Sequence, residues 1–177
     1  LSFKKVVLLL NCGSIMDMEW TLKYGDKISS ILYVWQNGME SGNSVADVLS
    51  GAVSPCGKLS DTVAVNYDCY PSSKFFGNKQ YNEYTEDIYV GYRFFETFAK
   101  NQVLYPFGFG LSYTDFEVKV TQTRCVGDVI TAFVNVKNIG DTYSGKEVVE
   151  VYLNAPQGAL GKPLRTLVCY KKTKLLA

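Results

Sequence analysis

The stretch from Glu83 to Val118, EYTEDIYVGYRFFETFAKNQVLYPFGFGLSYTDFEV, divides two regions whose hydrophobic periods differ, and it limits how either can fold. Tyr84, Tyr89, Tyr92, Phe94, Phe95, Phe98, Tyr105, Phe107, Phe109, Tyr113 and Phe116 are too many aromatic rings for a solvated linker, because each buries a large area once it meets a partner surface. The stretch therefore reads as a structured connector. Pro106 has no N–H for a sheet ladder, so the segment after Leu104 is expected to run over a surface as coil.

Before the connector, Lys5 to Asn11 (KVVLLLN) is an unbroken apolar run ended by Cys12-Gly13, as expected of a parallel strand covered on both faces. Met16 to Lys23 predicts a short helical segment anchored by Trp20, and Ile31 to Val34 a second strand reached by a compact crossover. Gly38 to Gly51 (GMESGNSVADVLSG) is the clearest helix. Ser41 or Asn43 serves as its cap, Val45, Ala46, Val48 and Leu49 face a sheet, and Gly51 stops it. Pro55 to Val65 reads as a turn followed by a strand, and the polar run from Asn66 to Gln80 as a surface loop.

After the connector the period becomes two. Phe116, Val118 and Val120 alternate with polar residues, as do Ile130, Ala132, Val134 and Val136, which predicts half-buried antiparallel strands. Asn138-Ile139-Gly140-Asp141 supplies turn chemistry, Val149 to Leu153 a third strand, and Arg165 to Lys171 a fourth. An immunoglobulin-like sandwich needs about seven strands over roughly 100 residues. About two thirds of that length follows Leu111, so the β region reads as truncated, and three strands are likewise few for an open α/β sheet.

Charge and cysteine narrow the chemistry. With 18 basic and 17 acidic side chains the formal charge is +1, which supports neither a nucleic-acid nor an anionic-membrane partner. Val6 to Leu10 is too short to span a bilayer. Cys12, Cys56, Cys69, Cys125 and Cys169 form no C-x-x-C pair and are odd in number, so they read as mostly buried thiols, and with no export signal they suit a reducing cytoplasm. The chain has no histidine, which removes Ser-His-Asp, Cys-His and His-ligated metal chemistry. No phosphate loop, nucleotide fingerprint or metal spacing implies a cofactor.

Four motifs occur in order. They are Gly42-Asn43 with Ala46-Asp47-Val48-Leu49-Ser50-Gly51; Pro55-x-Gly57-Lys58-Leu59; Ile88-Tyr89-Val90-Gly91-Tyr92-Arg93-Phe94-Phe95; and Leu104-Tyr105-Pro106-Phe107-Gly108-x-Gly110-Leu111-Ser112-Tyr113-Thr114-x-Phe116. Through them the chain resembles the glycoside hydrolase family 3 β-glucosidases. The resemblance continues through Gly140-Asp141, Ser144 to Val149, and Ala155-Pro156-Gln157-Gly158. It implies an α/β sandwich domain with a mostly parallel sheet (residues 1–75), an aromatic connector (76–110), and a truncated fibronectin type III-like, all-β domain (111–177).

The resemblance further implies hydrolysis of terminal β-D-glucosyl residues with retention, a β-linked glucoside as substrate, and a β/α barrel domain as partner. In the family the barrel supplies the nucleophilic aspartate, and the α/β domain supplies the acid/base glutamate upstream of the strand that resembles Val6 to Leu10. Neither motif occurs here, so the chain by itself is expected to be inactive: a retaining glycosidase needs two carboxyl groups about 5 Å apart. Val34 to Gly42 stands where the family tends to have an aromatic-Pro-Gly-Gln-Glu-Gly-Gly loop; Cys56 replaces a small residue and Ser60 a proline. Two further readings are a non-catalytic carbohydrate-binding or scaffold module that pairs with a separate barrel, and a parent protein with its barrel after the β domain.

Among candidate residues, Glu40 lies in a loop at the carboxyl edge where open α/β sheets place ligands, and is expected to touch sugar or else to cap the following helix. Trp35 stacks a pyranose ring or packs in the core. Glu86 and Asp87 precede an expected strand and reach sugar hydroxyls or solvent. Asp17 and Glu19 complement a helix dipole, and Lys58, Arg93 and Lys162 read as surface or interdomain contacts.

Overall fold

The computed structural model describes residues 3–177. The described residues divide into two compact units: residues 3–45, 59–109 and 153–166 form the first, and residues 46–58, 110–152 and 167–177 the second. Among the described residues it is sheet-rich with few helices, and each sheet holds two strands.

In the first unit, β1 (Val7–Leu10) runs parallel to β2 (Ser30–Tyr33), with Val7 opposite Ser30 and Leu10 opposite Tyr33. Between them lies the four-residue α1 (Glu19–Leu22). The expectation that β1 is covered on both faces fails. Leu10 is buried and Leu8 half-buried, but Val7 and Leu9 on the other face are each 43% exposed. The covered face meets Met18 and Val63 in one apolar cluster. Met18, only 2% exposed, anchors the crossover in place of Trp20, which is half-buried and edge-on to Tyr24.

The expected strand from Pro55 to Val65 contracts to β3 (Val63–Ala64), paired antiparallel with β4 (Val103–Tyr105). Beyond β4, Pro106 has no N–H to donate, and the exchange resumes where Leu59 N donates to Phe109 O and Gly108 N to Leu59 O, both at 2.8 Å. The first unit thus holds a parallel and an antiparallel pair rather than a mostly parallel sheet.

The aromatic connector contains a helix that its pattern did not announce, α3 (Tyr92–Phe98). Phe95 and Ala99 fall one turn apart and bury against Ala64, with Phe94 and Tyr70 packed around them. The Tyr70 ring meets Phe95 edge-on at 5.4 Å, and its hydroxyl donates to Thr62 O at 2.8 Å while accepting from Ala64 N at 2.9 Å. Coverage is uneven: Tyr84 is 91% exposed, and Phe98 stays 62% exposed although its ring meets Tyr89 at 4.8 Å and Phe94 at 5.7 Å. Residues 153–166 join this unit through Leu164 N, which donates to Thr97 Oγ1, and through Arg165, whose guanidinium lies 3.3 Å from Glu96 Oε2.

α2 (Ser41–Ser50) forms as predicted, but none of its residues is buried; Val45 and Val48 are half-covered, whereas Ala46 and Leu49 face solvent.

In the second unit, β5 (Phe116–Val126) and β6 (Val129–Asn138) form an antiparallel hairpin closed by the two-residue turn Gly127-Asp128, with Gly127 at φ +58° as such turns require. Val118 pairs with Val136 and Val120 with Val134; a bulge then absorbs Thr121, and pairing continues to Val126 opposite Val129. The strands are less covered than their alternation predicts, since Val118 is 48%, Val120 64% and Ile130 70% exposed. β7 (Val148–Leu153) pairs with β8 (Thr166–Lys172).

Two polar assemblies tie this unit. Asn138, 8% exposed, donates to Tyr143 O and Leu176 O and accepts from Thr114 Oγ1 and Gly140 N. Lys58 is not a surface residue. Its ammonium sits 2.9 Å from Glu147 Oε1 and donates to Gly110 O at 2.9 Å, and the two side chains are 20% and 16% exposed. Removing one partner leaves the other charge sequestered, which for buried pairs is strongly destabilising; for this partly wet pair we expect Lys58→Met to lower stability by about 2 kcal/mol. The double variant Lys58→Met/Glu147→Leu is expected to recover more than half of that loss in urea unfolding, and equal midpoints for the single and double variants would refute the pairing.

Candidate functional site

The carboxyl ends of β1 and β2 present one edge, the position at which open α/β sheets place ligands. Val34 N donates to Leu10 O at 2.9 Å and carries the pairing one residue further, so the loop that follows β1 meets the chain that follows β2. There the Tyr33 hydroxyl donates to Ser14 O at 2.6 Å, and the Cys12 thiol lies 3.2 Å from that hydroxyl and 3.3 Å from the same carbonyl. The Gln36 amide packs so closely on Gly13 that a Cβ at that position would collide with it.

Trp35 leaves this edge with φ +55°, a left-handed conformation that a bulky residue adopts only under constraint. Its ring lies 4.5 Å from that of Tyr33, which leaves the indole half-buried on a tyrosine support. Glu40 is exposed at the start of α2. Its carbonyl accepts from Ser44 N and Ser44 Oγ, both at 3.0 Å, and its carboxylate accepts from Asn43 Nδ2 at 2.6 Å. Glu40 thus starts the helical bonding through its backbone carbonyl, while its carboxylate is taken up by the Asn43 side-chain amide and not by a backbone N–H of the first turn.

The other candidates take local partners. Asp17 accepts from Glu19 N at 2.8 Å and Tyr67 N at 3.1 Å, and Glu19 opens α1. Glu86 accepts from Ser72 Oγ at 3.1 Å, and Asp87 stands at φ +47° in a turn that leads into α3, not ahead of a strand. The Arg93 guanidinium lies 5.9 Å over the Tyr92 ring, and Lys162 is exposed. The expectation of mostly buried thiols does not hold: all five cysteines are free, Cys12, Cys56 and Cys69 half-buried and Cys125 and Cys169 exposed. Among the described residues no three Cys, Asp or Glu side chains gather as metal ligands.

Sequence reading singled out Trp35 and Glu40 at this edge but missed Cys12, Ser14, Tyr33 and Gln36; the available signal was Cys12-Gly13-Ser14 directly after an apolar run. Together the edge offers an aromatic surface and a thiol–phenol pair, and the Glu40 carboxylate follows it in the chain at the start of α2. Two phenols are perturbed. Burial, then the Cys12 thiol, pushes Tyr33 above the ordinary tyrosine range, and burial pushes Tyr70 in the same direction.

Residues 2–113 match the model of the glycosyl hydrolase family 3 C-terminal domain. The chain is 50% identical over 176 residues to a β-glucosidase of Ruminococcus albus, covering 99% of this chain and 18% of that protein. Among solved structures, a β-glucosidase from Paenibacillus barengoltzii superposes with a TM-score of 0.94 at 48% identity, over 98% of this chain and 20% of that one. β-Glucosidase 3B from Thermotoga neapolitana, solved in complex with glucose, gives 0.87 at 42% identity over 98% of this chain and 24% of that one. The chain thus spans about a fifth of the length of the relatives it matches.

The phenols predict an alkaline weakness. Because the folded chain keeps these protons past the pH at which an unfolded tyrosine releases them, their contribution is complete below about pH 10 and is lost as pH rises through the folded values. Urea unfolding at pH 8 and pH 11 is expected to show this loss, and Tyr70→Phe to reduce the pH slope while removing about 1 kcal/mol of hydrogen bonding at pH 8. An unchanged slope in Tyr70→Phe would refute the assignment.

Proposed function

Since the chain belongs to glycosyl hydrolase family 3, we propose that it serves as part of a retaining β-glucosidase that removes terminal β-linked glucosyl residues. The observation that carries this reading is the alignment of 99% of the chain with the Ruminococcus albus β-glucosidase at 50% identity. The glucose complex of the Thermotoga neapolitana relative supports glucose as the sugar.

Our reading divides the chain into an α/β sandwich part (residues 1–75), an aromatic connector (76–110) and a fibronectin type III-like part (111–177). The parallel pair β1–β2 supports the first part and the antiparallel hairpin β5–β6 the last. Both catalytic carboxylates come from elsewhere in the parent polypeptide, including a β/α barrel. In support, the carboxylates of Glu40, Asp17 and Glu86 each accept from a neighbouring group: the Asn43 amide, Tyr67 N and Ser72 Oγ respectively.

The role we give this edge is substrate contact. Trp35 lays its supported ring against the apolar face of a sugar, and Glu40 accepts from a sugar hydroxyl. Assays on aryl β-glucosides test both parts. This chain alone is expected to give no turnover, while the full-length enzyme carrying Trp35→Ala is expected to raise KM about fivefold, as loss of an aromatic contact worth about 1 kcal/mol would. Turnover by purified chain would overturn the catalytic part, and an unchanged KM the role of Trp35.

A further inference from the structure

We infer that a second carbohydrate site lies in the first unit, between the turn at Pro71–Lys74 and the loop leading to Val90. A cavity of about 210 Å³ opens there, bounded by Phe76, Tyr84, Asn82, Glu83, Glu86 and Asp87. At about 30 Å³ per water it holds roughly seven waters, the room of one hexose ring and less than drug-sized ligands need.

Its chemistry selects the ligand. Phe76 is 86% and Tyr84 91% exposed, so large ring surfaces stay wet unless something flat and partly apolar covers them. Around the rings stand carboxylates and an amide, the acceptors and donors that a polyhydroxyl ring uses. The site already makes one bond of this kind, the Ser72 hydroxyl donating to Glu86 Oε1 at 3.1 Å, with a serine alcohol in the role of a sugar alcohol. Asp87, in a left-handed turn conformation (φ +47°) that aspartate tolerates, lines the cavity beside Glu86. The ligand class is a β-linked glucosyl unit. That choice rests on the β-glucosidase reading, because aromatic and acidic side chains together also suit an ammonium group.

Titration of the isotope-labelled chain with cellobiose, followed by amide shifts, tests the site. Saturable shifts confined to residues 72–90 are expected, with a dissociation constant on the order of 1 mM and little change between 50 and 500 mM salt, as a neutral ligand requires. Tyr84→Ala is expected to weaken binding at least fivefold without moving the thermal midpoint, since that side chain is almost wholly exposed. Absence of shifts at 50 mM cellobiose overturns the proposal, as does saturation by tetramethylammonium but not by cellobiose. Because binding at residues 72–90 is read without hydrolysis, its failure leaves the turnover and KM tests of the parent enzyme standing.

Discussion

The second unit depends on hydrogen bonding and charge where most small domains depend on apolar burial. Every buried apolar residue among those described (Leu10, Met18, Val63, Ala64, Phe95 and Ala99) lies in the first unit. In the second, the buried side chains are those of Ser54, Thr114 and Asn138. Asn138 uses both its oxygen and its nitrogen, and Lys58 joins a segment near residue 58, the carbonyl of Gly110 and the entry to β7. Such bonds are worth about 1 kcal/mol each but several when left half-made, so this unit is specified more sharply than it is stabilised.

That contrast explains what could be read from sequence. Unbroken apolar runs located β1 and β2, period-two alternation located the hairpin, and capping and stop signals located α2. Period alone could not say which faces are covered, because that depends on partners far along the chain: Leu10 is buried against Met18 and Val63, whereas Val7 and Leu9 on the other face stay 43% exposed. β5 continues past its apolar half because Thr121 is absorbed by a bulge and Thr123, Arg124 and Cys125 still find partners on β6. α3 stayed hidden because Phe94, Phe95 and Phe98 sit among so many other rings that the helical repeat of Phe95 and Ala99 does not stand out.

The edge of β1–β2 was legible in outline and not in detail. Trp35 and Glu40 follow an apolar run, so a loop at a strand end was readable. The contact of Cys12 and Ser14 with Tyr33 requires the parallel register that sets Leu10 opposite Tyr33, and nothing local encodes it. The same register accounts for the support beneath Trp35, since the tyrosine held by Ser14 O is the one that carries the indole. Glu40 shows the opposite limit. Its bonds to Asn43 and Ser44 are a local matter of three and four residues, which is why a part in the start of α2 was readable from sequence.

Backbone strain links the two proposed sugar sites. Among the described residues, Trp35 and Asp87 are the non-glycine positions with positive φ, and each stands in one of those loops. A left-handed conformation costs such residues about 1–3 kcal/mol and persists where surrounding contacts over-determine it. At Trp35 those contacts are visible in the Tyr33 ring and the bond to Ser14 O. Around Asp87 they are the backbone bonds Asp87 N to Tyr84 O at 3.3 Å and Tyr89 N to Glu86 O at 2.7 Å, which close the turns on either side of it. Under the two proposals, a ligand ring laid on the indole, or hydroxyls met by the carboxylate, would meet groups whose ordering cost has already been met in the free protein.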